Sequence, residues 1–120
     1  MLKDDKFTTF SVNALVAASG LQLIEARLYD STIQHVKEQH SEVPAELPSI
    51  HHAVKMCLLN PTHIEVSYSN SYIFVDYSSA NREGHPLRIP VRSVTQTSGR
   101  ITTFFFATAS QANVIWRKGQ

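Results

Sequence analysis

Six histidines occur in the 120 residues of this chain, and two of them, His35 and His40, fall within one predicted element. An imidazole exchanges protons near neutral pH, so two brought together can act as the base and the acid of one reaction. On a regular helix a five-residue step leaves two side chains about 140° apart. His35 and His40 therefore meet only if their helix ends or bends. His40 also shares a stripe with Ile33 and Val36, which suits a partly buried structural histidine equally well, while His35 suits solvent. His51 and His52 are adjacent, point to different sides of a helix and make a poor metal pair without a third ligand.

Phosphate binding is the other chemistry the residue types allow. Residues 1–60 hold five Lys/Arg against seven Asp/Glu, whereas residues 61–120 hold six against three, and five of those six are arginine. The guanidinium fork pairs bidentately with phosphate, although arginine is equally a common solvated surface residue. The total charge of +1 carries no nucleic-acid signature by itself. Cys57 lies among apolar helix residues and reads as a small buried hydrophobe, and a single cysteine makes no internal disulfide. There is no Walker loop, GxGxxG, HExxH, CxxC pair or GxSxG elbow, so neither a cofactor nor a metal is expected.

These residues must be positioned by a small fold. A chain of this length with 42% hydrophobic and 18% charged residues, four glycines and five prolines is neither disordered nor of low complexity, and it predicts one domain over 1–120. No apolar run approaches the roughly 18 to 20 residues that cross a bilayer. The opening Met1-Leu2-Lys3-Asp4-Asp5-Lys6 carries acids where a secretory signal needs an apolar core. No membrane partner is expected.

The local patterns give the elements. Ser11 to Ser19 is short and apolar, with Gly20 placed as a helix C-cap, and Leu21 to Tyr29 has an imperfect alternation that fits a strand or a continued helix, the strand being preferred. Asp30 and Ser31 suit an N-cap for a helix ending near His40, and 41–46 reads as a loop. Leu47, Ile50, Val54, Cys57 and Leu58 form a 3.6-period stripe that Asn60-Pro61 terminates. From His63 the period changes to two: Ile64, Val66 and Tyr68 alternate with Glu65, Ser67 and Ser69, and a hairpin at Asn70-Ser71 leads to a strand over Tyr72 to Tyr77. Leu87 to Val94 is a third strand with Leu87, Ile89 and Val91 on one face and Arg88, Pro90 and Arg92 on the other. Ser98-Gly99 marks a turn into Ile101 to Ala107, and Asn113 to Trp116 adds a last strand. The expected fold is α+β, with N-terminal helices packed on one face of a twisted antiparallel meander of four to five strands and the other face left open.

Several segments in this order carry a resemblance. They are His35-Val36-x-x-x-His40-x-Glu42, then Leu58-Leu59-Asn60-Pro61-Thr62-His63-Ile64, then Ser67 to Tyr72, then Arg88-Ile89-Pro90-Val91-Arg92, and Gly99-Arg100-Ile101-Thr102-Thr103-Phe104-Phe105. Together, over about residues 28–117, they resemble the phage-associated branch of the barnase, EndoU, colicin and RelE-like ribonuclease superfamily. Residues 1–27 stand outside the resemblance as an N-terminal extension. Ser41 occupies the place of the family's proline in its His-Pro-Glu pattern.

The resemblance implies a metal-independent, toxin-type endoribonuclease acting on RNA, tRNA among its targets, in the cytoplasm or delivered into the cytoplasm of a target cell. A cognate immunity or antitoxin protein is the implied protein partner. Such a reaction needs a base for the ribose 2′-OH, an acid for the leaving 5′ oxygen and donors for the phosphoryl charge. The family pattern assigns His35 and His40 to proton transfer or phosphate binding. Arg92 is the phosphate clamp with Arg88 as its helper, and Thr103 is a hydroxyl donor unless it is a threonine chosen for strand propensity. Ser67, Ser69 and Tyr72 are further candidates for substrate contact, Tyr72 by stacking on a base unless it packs into the core. The rival reading is a non-catalytic RNA-binding or protein-inhibitor module of the same fold, which the lack of a Lys/Arg cluster favours.

Overall fold

The computed structural model describes residues 5–13, 22–67, 70–109 and 113–119. The described chain runs β1 (Phe7–Ser11), β2 (Glu25–Tyr29), α1 (Asp30–Gln39), α2 (Glu42–Glu46), α3 (Ile50–Leu59), β3 (His63–Val66), β4 (Ser71–Asp76), β5 (Leu87–Ser93), β6 (Ser98–Ile101), β7 (Phe105–Phe106) and β8 (Val114–Arg117). A single 3-10 turn, Tyr77–Ser79, follows β4, with the Asp76 carboxylate accepting from Ser78 N at 2.9 Å.

All eight strands join one mixed sheet in the order β1-β2-β6-β5-β4-β3-β8, with β7 paired to β5. The fold is α+β. The antiparallel meander of four to five strands is replaced by this larger sheet, and β2 pairs with β6 in parallel. That pair joins segments some seventy residues apart, which local periodicity does not reveal. Strand β1, antiparallel to β2, sends Phe10 into the core, so 7–11 belongs to the sheet. The helix placed at Ser11 to Ser19 begins on β1's last residue, and its body, with the Gly20 cap, lies outside the described residues.

The core forms where helix stripes meet alternate strand residues. Val36, Val43, Val54, Cys57 and Leu58 cluster with Ala26, Leu28, Ile64, Phe74, Leu87, Ile89, Val91 and Ile101. Full burial of a Leu, Ile or Phe side chain contributes roughly 1.5–3 kcal/mol each. Alternation along the strands then sends Arg27, Arg88, Pro90, Arg92 and Arg100 to the opposite, polar face. The expected division of β5 into Leu87/Ile89/Val91 and Arg88/Pro90/Arg92 is thereby observed.

Three local readings are corrected. Helix α1 is capped from afar: Tyr29 occupies the N-cap position without a side-chain bond, and the Asp5 carboxylate accepts from both the backbone N–H and the hydroxyl of Ser31. The stretch 42–46 is the short helix α2, because Pro44 stands in a first turn whose N–H needs no partner. Ser98-Gly99 is strand; the turn precedes it, with Val94 N and Thr95 N donating to Ser98 O. Glycine is required at 99 by close packing, since a Cβ there would meet Val91 Cγ1 at 2.6 Å.

Candidate active site

Helix α1 stops one residue short of His40. The C-cap residue His40 has φ −135° and ψ 57°, outside helical geometry, and its N–H donates to Val36 O at 2.7 Å. Leaving the helix swings His40 back toward His35, and the two rings stand edge to face with centroids 6.0 Å apart. The bend that their spacing requires is present.

His40 is held from two further sides. Its ring stacks on Phe105 of β7 at 5.4 Å, and Glu42 Oε1, in the first turn of α2, lies 3.7 Å from His40 Nδ1. At that distance Glu42 faces the Nδ1 edge of the ring without a hydrogen bond, and Nε2 lies on the opposite edge. The His40 side chain is 31% exposed and Glu42 51%, so solvent reaches both.

The strand that carries Phe105 is itself irregular. Val91 pairs Ile101, yet Arg88 pairs Phe105, so three residues, 102–104, oppose the two residues 89–90. One extra residue on one strand is a β-bulge. Thr103 sits in it, its Oγ1 shut off from solvent and without a hydrogen-bond partner among the described residues.

Arg88 is cross-strand from Phe105 but is already engaged. Its Nη2 donates to Glu65 Oε1 at 2.6 Å and its Nη1 to Thr108 O at 3.3 Å. The other Glu65 oxygen lies 2.9 Å from His63 Nε2, and both His63 and Glu65 are almost fully buried. This His63–Glu65–Arg88 cluster did not emerge from the sequence as a unit. The available signal was His63-x-Glu65, which on a strand places both side chains on one face, but Arg88 joins them only through the β3-β4-β5 register.

The remaining candidates separate. Arg92 is exposed on the polar face, four residues and about 13 Å along β5 from Arg88. It pairs in register with Arg100, away from the histidines. Ser67 follows the last residue of β3, its N–H donating to Ser71 O, and Ser69 lies outside the described residues. Tyr72 stands on the core face opposite Val91 and lines a cleft of about 410 Å³ with Gln22, Asn70, Ser93 and Val94. It packs against the core there, on the other face of the sheet from Arg88 and Arg92. The structure thus brings together His35, His40, Glu42 and Phe105, and not Arg92 or Tyr72.

Cys57 is fully buried, and burial pushes its thiol well above the ordinary range, so it stays protonated. Among the described residues no group of three or more His, Cys, Asp and Glu side chains is placed to hold a metal ion, and no helix is long and apolar enough to cross a membrane. No protein-family model matches the chain, nor does any curated protein or any solved structure.

Proposed function

We propose that this protein is an endoribonuclease of the metal-independent, toxin type, with His35 and His40 as its proton-transfer pair. The observation that carries this reading is the approach of two imidazoles from positions that a regular helix would hold apart. One histidine removes the proton of a ribose 2′-OH as that oxygen bonds to the adjacent phosphorus. The other gives a proton to the 5′ oxygen as its bond to phosphorus breaks, leaving a 2′,3′-cyclic phosphate and a 5′-OH. Glu42 orients His40, and the Phe105 ring fixes its plane. Thr103, its hydroxyl shut into the bulge, acts as a positioning residue for that strand. Arg92 binds substrate phosphate away from the scissile bond.

Two features support RNA as substrate: the order of motifs over 28–117 and a sheet face rich in arginine. The non-catalytic alternative rests on one specific observation. Arg88, the arginine placed across from Phe105, commits Nη2 to Glu65 and Nη1 to Thr108, and its Nε, without a hydrogen-bond partner among the described residues, is shut off from solvent, so it offers no open clamp beside the histidines.

Incubation of the protein with total RNA and with tRNA, with and without EDTA, separates the two on a denaturing gel. Discrete fragments that persist in EDTA and disappear with His35→Ala and His40→Ala are expected. Intact RNA in every lane would establish the binding or inhibitory alternative.

A further inference from the structure

On the polar face, three arginines on three neighbouring strands stand in one row. Arg27 of β2 is the register partner of Arg100 on β6, and Arg100 is that of Arg92 on β5. Polar residues extend the row at both ends, Thr9 opposite Arg27 and Ser71 opposite Arg92. From Arg27 to Arg92 the row spans two strand spacings, about 10 Å. Like charges directly across strands repel. A fold that keeps three of them together, with nothing of the core demanding it, is suited to an anion lying across them.

The guanidinium donors are largely unspent. Arg27 reaches Glu25, and Arg100 reaches Asp5, only at 3.9 Å, and the Asp5 carboxylate is already accepting from Ser31. Arg27 Nε is shut off from solvent, but the side chain is 42% exposed, so its Nη nitrogens are the donors left to a ligand. Arg92 is exposed, with no ion pair among them. Two rings sit in the same patch: Arg27 lies 4.6 Å from the centroid of Phe7, which is itself 46% exposed, and Arg100 lies 4.0 Å from that of Tyr29. Alternating guanidinium groups and aromatic rings bind single-stranded nucleic acid by phosphate pairing and base stacking.

We infer that the Arg27–Arg100–Arg92 row is the surface that carries the backbone of single-stranded RNA across the sheet. This rests on the RNA-directed reading of the histidine site and assigns its substrate class: an unpaired strand, held by phosphates and by stacking at the exposed edge of the Phe7–Tyr29 ring pair, without sequence readout. An acidic protein segment would meet the same charges but would leave Phe7 and Tyr29 without bases to stack.

The test uses a single-stranded 2′-O-methyl RNA oligonucleotide labelled for fluorescence anisotropy, which lacks the attacking hydroxyl and reports binding without cleavage. Three phosphate contacts predict a log–log salt slope of about −2, or a loss of about 20-fold between 50 and 200 mM salt. Arg92→Gln should reduce the slope by about 0.7, and Arg92→Gln with Arg100→Gln by about 1.4, with unchanged unfolding midpoints. Arg82→Gln, at an arginine that is 90% exposed and paired with Glu46, should bind as the parent does. No binding by the parent, equal binding by the row variants, or displacement by polyglutamate as effective as by unlabelled oligonucleotide would each overturn the assignment. RNA cleavage without oligonucleotide binding would remove the row and leave the histidine site standing. Binding without cleavage would do the reverse.

Discussion

The sequence His-x-Glu occurs twice, as His40-Ser41-Glu42 and His63-Ile64-Glu65, and the two copies live in opposite environments. At 63–65 both side chains project from one face of β3, 2.9 Å apart and 2% exposed, and Arg88 closes on the carboxylate from β5. At 40–42 the pair straddles the gap between two helices, 3.7 Å apart and open to water. The first arrangement gives its carboxylate two partners inside the protein and links β3 to β5 across β4. The second leaves an imidazole nitrogen available to something outside. Motif identity therefore does not decide role here; burial and the presence of a third partner do.

The contrast is broken most forcefully at Glu65. Replacing it by alanine strands a buried guanidinium and a buried imidazole, and removing one partner of a buried ion pair costs about 3–5 kcal/mol. Urea denaturation of Glu65→Ala should show that loss, and a change below about 1 kcal/mol would mean that the cluster is not the structural half of the comparison.

A smaller effect is expected at Asp5, the carboxylate that stands in for the missing cap of α1. The Ser31 hydroxyl, with the Ser31 N–H and Arg100, holds Asp5 below the usual carboxylate range. A depressed carboxyl stabilises the fold above its unfolded pKa, and that contribution is lost as pH falls through the folded value. Unfolding midpoints followed from pH 6 down to pH 2 should therefore fall less steeply in Asp5→Asn than in the parent. Identical acid limbs would show that the Ser31 contacts do not form in solution.

Cys57 sharpens the same distinction between buried and available groups. Its thiol, raised by burial, should react with iodoacetamide at pH 8 only when the chain is unfolded in urea, and fast alkylation of the native protein would contradict its place in the core.

The smallest stability change belongs to Glu42. Exposed ion pairs contribute about 0–1 kcal/mol, so Glu42→Ala should unfold within about 0.5 kcal/mol of the parent while RNA cleavage falls by about tenfold. Equal activity would deny Glu42 any part in orienting His40.

How much of this was legible follows from where each signal is stored. The stripe of α3 and the alternation of β5 are local, and both emerge from residue spacing alone. Alternation marked Glu65 only as a polar residue between Ile64 and Val66, and its burial follows from β3 lying between β4 and β8, buried on both sides over 63–65. Its partner Arg88 lies 23 residues away, beyond any periodicity. The β2–β6 pairing and the Asp5 cap are likewise contacts between distant segments. At the candidate site, the condition for the histidines to meet and a helix end near His40 were both visible in the residues, but the backbone angles that turn His40 back were not. Phe105 was visible only as one ring in a run of three, and the bulge that turns it toward His40 depends on the pairing with β5.

The central claim is that the exposed histidine pair does chemistry while the buried cluster holds the fold. It is tested most directly by measuring RNA cleavage in EDTA and the unfolding midpoint on the same preparations of the parent and His40→Ala. The account predicts a fall in cleavage rate of at least 100-fold, the usual contribution of a general acid or base, with a midpoint close to the parent's. Undiminished cleavage, or a loss of activity that tracks a loss of folded protein, would contradict it.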